Sequence, residues 1–144
     1  MAIDGVTMDQ RIRESFAKQT LLATLGCQLV HIGRGEISIE LPESAAVLQQ
    51  HGRVHGGAVM TMADTAAGYA AMSVAPETAE VLTIELKTNF LRAAEGTLRA
   101  TGRVVRAGRS IIVAEADVFG SIDQEEKHVA KTLATMAVVD EVKR

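Results

Sequence analysis

The stretch His51-Gly52-Arg53-Val54-His55-Gly56-Gly57 runs directly into Ala58-Val59-Met60-Thr61-Met62-Ala63-Asp64-Thr65-Ala66-Ala67-Gly68-Tyr69-Ala70-Ala71, and it limits what the whole chain can fold into. A glycine-rich turn opens a long helix of Ala, Met and Val that carries a single acid, Asp64. Such a helix is apolar on nearly every side, so it belongs inside the protein. Pro76 bounds it, because the residue ahead of a proline is biased away from helical geometry. The expected span is Gly56 or Gly57 to about Val74. The rest of the chain must then enclose a helix rather than cover one face of it.

The start of that helix has chemistry of its own. Its first N–H groups lack intrahelical partners, and the positive end of the macrodipole lies there. Gly56 and Gly57 would let a ligand oxygen come close to the backbone. The same turn would equally make a plain helix start, or bind an anion without catalysis. Asp64 follows Gly56 by eight residues, or about 12 Å along a helix axis. One reacting carbonyl cannot touch both groups on the same helix. If both serve one substrate, the second comes from another copy of the chain. An antiparallel pair of central helices would bring Gly56 of one copy near Asp64 of the other, which points to a symmetric dimer. The plainer alternative is that Asp64 faces a wet seam.

Composition narrows the classes. A chain of 144 residues fits one domain, 1–144. A hydrophobic content of 47% is that of a globular protein, and a net charge of -3 gives nothing to attract nucleic acid. Cys27, the single cysteine, cannot form an internal disulfide and fits a reducing compartment. No charge-free apolar run approaches the roughly 20 residues of a membrane-spanning helix. Met1 to Met8 carries Asp4 and no basic residue, unlike a secretory leader. A cytoplasmic location is expected.

Around the central helix the pattern is mostly strand. Residues 8–24, the body of an N-terminal helical segment 1–24, read as one amphipathic helix with Ile12, Phe16, Leu21 and Leu22 on its apolar side, capped by Thr7 or Asp9 and stopped at Gly26. Gln28–Ile32 and Glu36–Leu41 form a hairpin about Gly33-Arg34-Gly35. Residues 43–54 read as a loop. Four strands follow, over Val81–Phe90, Gly96–Ala107, Ser110–Phe119 and Val129–Val139, and the short links between them suggest an antiparallel meander. His51 and His55 flank Gly52 with no third ligand or HExxH pattern, so no metal or other cofactor is expected. Ser73 and Ser110 lack the Gly-x-Ser-x-Gly setting of a serine hydrolase.

This order of elements resembles the hotdog-fold thioesterases, and among them the phenylacetic acid degradation thioesterase family. The motifs that carry the resemblance are His55-Gly56-Gly57, Ala63-Asp64-Thr65-Ala66, and Thr88-Asn89-Phe90-Leu91-Arg92 with Gly96 after it, within a match running from about Thr24 to Val139. The resemblance implies an α+β hotdog fold, an antiparallel β-sheet wrapped around a long central helix. It implies hydrolysis of acyl-CoA thioesters with aryl or medium-chain acyl groups. The active unit would be a homodimer, paired again into a homotetramer.

Site roles follow by position. The Gly56 N–H would polarise the thioester carbonyl, and Asp64 of the facing subunit would be general base or nucleophile. Thr83 stands where the family has a hydroxyl that orients water. Gln49 stands where the family often has Asn; it keeps the amide but reaches one methylene further, and Gln50 follows it. Substrate contacts would come from His55 and Gly57 in the turn and from Asn89, Phe90 and Arg92. Arg109 and Ser110 complete the set. His55 could instead be structural, fixing the turn by a hydrogen bond. Arg92, Arg106 and Arg109 are either solvated strand ends or a phosphate site for coenzyme A. The rival to an enzyme is a hotdog module that only binds acyl-CoA, which would have no need of Asp64. A hotdog dehydratase or hydratase would want a His paired with an acid, and no such pair stands at comparable spacing.

Overall fold

The computed structural model describes residues 7–140; the first residues of the expected helical segment, and most of the Met1–Met8 leader reading, lie outside the described residues. The elements in chain order are α1 (Met8–Ala17), α2 (Thr20–Leu25), β1 (Gln28–Gly33), β2 (Glu36–Leu41), a 3-10 turn (Ala45–Val47), α3 (Gly56–Val74), β3 (Glu80–Phe90), β4 (Thr97–Ala107), β5 (Ile111–Ile122) and β6 (Glu125–Val139). All strand pairings are antiparallel, in the order β1-β2-β4-β5-β6-β3. This is an α+β hotdog, with α3 lying across the concave face of the sheet.

Small residues meet across that contact. Ala100, Gly102, Ala114, Ala116, Ala130 and Ala134 point inward from β4, β5 and β6, and Ala63, Ala66, Ala67 and Ala70 of α3 are fully buried. Bulges in the β3–β6, β4–β5 and β5–β6 pairings bend the strands around the helix. Larger side chains, among them Ile37, Ile39, Leu98, Ile112 and Met136, fill the remainder. Buried among them, the Cys27 thiol has its pKa pushed up by loss of solvation. No helix of the described residues is long and apolar enough to cross a membrane.

Two expectations need correction. The helix expected over 8–24 breaks at Lys18–Gln19, where Gln19 turns extended before α2 begins. The cause is phase. In one continuous helix Leu22 would stand about 80° around the axis from the Ile12 stripe; restarting the helix rotates Leu22 into the core, 1% exposed. The meander also fails at its first step. β4, β5 and β6 are sequential neighbours, but β3 pairs with β6 on the far edge. The link of residues 91–96 crosses beneath the strand ends, with the Leu91 N–H on the Val129 carbonyl at 2.8 Å and the Ala94 carbonyl accepting from Val54 N–H at 2.9 Å. Three strand spacings amount to about 14 Å, which six residues of extended chain can span. A short link therefore did not demand a hairpin. The β5–β6 turn is also tighter than expected. It is only Asp123-Gln124, both at positive φ, so the pairs Ser121–Glu126 and Ile122–Glu125 extend the ladder beyond the expected strand ends.

β3 ends the sheet with one edge unpaired among the described residues. Leu82, Ile84 and Phe90 on this strand are each about half exposed (50%, 55% and 53%). On α3, residues 57, 60, 61, 64, 65 and 68 form the stripe the sheet does not cover.

Candidate active site

Residues 49–57 form a wound turn that delivers α3. Gly52, at φ +75, takes the left-handed position. The Gln49 side-chain oxygen accepts the N–H of His51 at 2.6 Å and of Arg53 at 3.3 Å. Its carbonyl is thus engaged within the loop, leaving the NH2 end as the group it can offer a ligand. The longer glutamine side chain is held by the turn it sits in.

His55 is the N-cap of α3. Its Nδ1 accepts the Gly57 N–H at 2.8 Å, so in this arrangement the ring proton is on Nε2. The His55 carbonyl accepts from Ala58 N–H at 2.9 Å and Val59 N–H at 3.2 Å. Gly56 is left as the residue at the helix start whose N–H has no partner among the described residues. The ring of Phe90 lies over it, with Cζ at 3.3 Å from where a Cβ on Gly56 would stand. Replacing His55 with Ala is expected to cost about 1 kcal/mol and to lower Tm by roughly 3–5 °C. Thermal melts check this; an unchanged Tm would show that the imidazole is not holding the turn.

Asp64 is partly exposed on α3, two turns further on. The Thr83 hydroxyl donates to its Oδ1 at 2.7 Å and also lies 3.3 Å from the Met136 sulfur. The hydroxyl expected to orient water thus holds the carboxylate itself, presenting Oδ2 to the cavity. That cavity, of about 230 Å3, is lined by Asp64, Thr83, Thr65, Gly68, Tyr69, Met72, Val81 and Leu82, and by Ser15, Gln19 and Glu80.

The remaining expected contacts are scattered in one chain. Asn89 and Phe90 are adjacent on a strand and so face opposite sides of the sheet; Phe90 faces Gly56, whereas Asn89 pairs with Lys131 on the outer face. Arg92 donates to the His128 carbonyl at 3.1 Å, at the Phe90 end of the sheet. Arg109 and Ser110 sit in the β4–β5 turn at the other end, where the Ser110 carbonyl accepts from Val138 N–H at 2.9 Å. Arg106 pairs with Val113 near that same end. Among the described residues, Arg92 does not join Arg106 and Arg109 within a single chain. Among the described residues, no three His, Cys, Asp or Glu side chains gather as a metal site would need. Sequence reasoning missed Ser15, Gln19 and Tyr69 as cavity residues. The packing of the N-terminal helices against α3 brings the first two to the third, and no local pattern announced it.

This geometry has known counterparts. The thioesterase superfamily model matches residues 51–127. A thioesterase family protein from Silicibacter pomeroyi is 39% identical, with a TM-score of 0.92 over 94% of this chain and all of that one (100%). The 1,4-dihydroxy-2-naphthoyl-CoA hydrolase of Listeria monocytogenes is 30% identical over 120 residues, 82% of this chain and 94% of that one. The E. coli PaaI protein of the phenylacetic acid degradation operon, at 23% identity, shares the fold with a TM-score of 0.81 over 92% and 93% of the two chains. With the match spanning the turn, the whole of α3 and β3 to β5, the chain belongs to the thioesterase superfamily.

Proposed function

We propose that the protein hydrolyses acyl-CoA thioesters, carrying aryl or medium-chain acyl groups, to the free acid and coenzyme A, in a cytoplasmic homodimer that pairs again into a tetramer. The observation that carries this reading is the division of labour along α3: one unpartnered N–H at Gly56 and one hydroxyl-held carboxylate at Asp64. A thioester carbonyl needs a donor where negative charge develops and a nucleophile to attack its carbon. The Gly56 N–H is the donor, with the Gln49 NH2 as second contact. Asp64 takes a proton from an attacking water, or attacks through its own oxygen to form a mixed anhydride that a water then cleaves to the free acid and the carboxylate. The C–S bond then breaks, and the thiolate of coenzyme A leaves and takes up a proton. No cofactor enters the reaction.

The two groups lie about 12 Å apart on one helix, so the site is shared between copies. The unpaired edge of β3 and the uncovered stripe of α3 supply the joining surface. A two-fold axis there sets the Phe90 end of one β3 beside the Thr83 end of the other. The same axis brings Arg92 of one copy toward Arg109 of its partner, a pair suited to the phosphates of coenzyme A. Subunit mixing tests this. Asp64→Asn and Gly56→Val are each expected to be inactive, but co-expressed they should regain activity at about one quarter of the sites, the share a shared site in a random two-fold dimer predicts. No recovery, from two folded variants that do associate, would place the whole site within one chain.

A further inference from the structure

The cavity that holds Asp64 has a second polar group at its far wall. Ser15 comes from α1, Gln19 from the break between α1 and α2, and Tyr69 from α3, and all three line the same 230 Å3 space as Asp64 and Thr83. Tyr69 is 5% exposed and its ring packs against Phe16 at 6.1 Å. Gln19 Nε2 donates to the Tyr69 hydroxyl at 2.6 Å, and Ser15 Oγ lies 2.9 Å from the same oxygen. The proton count is informative. Two hydroxyls share one hydrogen bond, and either can be its donor. Whichever donates, the other keeps a proton with no acceptor among the described residues. These three residues therefore bring a hydrogen-bond donor to a space whose lining also includes the apolar Met72, Val81 and Leu82.

We propose that Ser15, Gln19 and Tyr69 form the distal wall of the acyl pocket and select acyl groups that carry a neutral oxygen, as hydroxyl or carbonyl, at the end remote from the thioester. This rests on the thioesterase reading above and narrows it. An apolar tip would displace water from the wall and leave the spare hydroxyl proton unsatisfied, which costs affinity. A carboxylate tip would bring a further negative charge into a cavity already holding Asp64 and Glu80. The cavity, of about 230 Å3, has room for a short acyl group.

The test uses matched CoA thioesters with acyl groups of about six to eight carbons, with and without a terminal hydroxyl. The readout is the ratio of kcat/KM within each pair. Wild-type protein is expected to favour the hydroxylated member by about fivefold or more, the worth of one satisfied hydrogen bond. In the double variant Tyr69→Phe with Ser15→Ala the ratio should fall to about one, whereas either change alone leaves one hydroxyl donor and should keep part of the preference. A wild-type ratio of one or below would overturn the proposal, as would a ratio unmoved in the folded double variant. Should the double variant fail to fold, the wild-type ratio alone decides. If no thioester of either kind is hydrolysed, the thioesterase reading fails, and calorimetric Kd values for the same pairs then judge the wall. A fivefold preference would uphold it and equal affinities would overturn it.

Discussion

Asp64→Asn is expected to lower kcat by about 10²–10⁴-fold, the usual cost of losing a general base, and further if the carboxylate is the nucleophile. Acyl-CoA binding and the fold should survive. The amide oxygen of Asn can still accept from Thr83, whose hydroxyl donates to Asp64 Oδ1 at 2.7 Å. The Gly56 N–H is untouched, so ground-state contacts to the carbonyl remain. Removing a partly buried charge from the helix should leave Tm unchanged or raise it. Steady-state kinetics, calorimetric binding of a substrate analogue and thermal melts together give the signature. Near-normal kcat in Asp64→Asn would make the carboxylate structural and would favour a module that binds acyl-CoA without cleaving it.

The largest effect on stability is expected at Gly102, far from any reacting atom. A Cβ placed there would stand 2.3 Å from the carbonyl carbon and oxygen of Ala66 and 2.6 Å from the Ala67 nitrogen. These are backbone atoms of α3 and cannot swing aside, so the helix must lift from the sheet. Gly102→Ala should cost about 3 kcal/mol or more, a large part of the 5–15 kcal/mol typical of a whole domain. Gly102→Val should not give folded protein. Chemical denaturation checks the first and soluble expression the second. A Tm within about 2 °C of wild type for Gly102→Ala would mean that α3 rides higher over β4 than described.

How much of this was legible depended on whether the signal was local. The span of α3, Gly56–Val74, and the β1–β2 hairpin could be read because their causes lie within the element: an apolar run bounded by glycine and proline, and the Gly33-Arg34-Gly35 turn followed by the alternation of Glu36–Leu41. The α1–α2 break could not, because it answers to where Leu22 finds the core. The position of β3 could not, because two strand orders satisfy the same link length. At the site, the Gly56 turn and Asp64 stood out as anomalies in an apolar helix. Thr83 entered only through the resemblance, as a hydroxyl that orients water; its bond to the Asp64 carboxylate needed coordinates. The wall of Ser15, Gln19 and Tyr69 joins residues about fifty positions apart through side chains ordinary in isolation. The role of Gln49 was visible only as an amide near the turn; that its oxygen is tied to His51 and Arg53 needed coordinates.

The pairing of β3 with β6 has a consequence for the birth of the chain. The register joins Phe90 to Ala130 and Glu80 to Val139, so β3 must wait for the last described strand. At a synthesis rate of about 5–20 residues per second, the delay is on the order of seconds. Throughout it, Leu82, Ile84 and Phe90 have neither strand neighbour, and α3 has no closed sheet to enclose it. Contacts this distant in sequence slow folding, since the intervening chain loses entropy before the pairing repays it. The emergence of β6, rather than any earlier hairpin, is then the step at which the sheet closes over α3. The open outer edge of β3 becomes a defined surface only after that, so monomer closure must precede association. A chain that stalls before β6 would present that strand open on both sides, a template for mispairing with its neighbours on the same message.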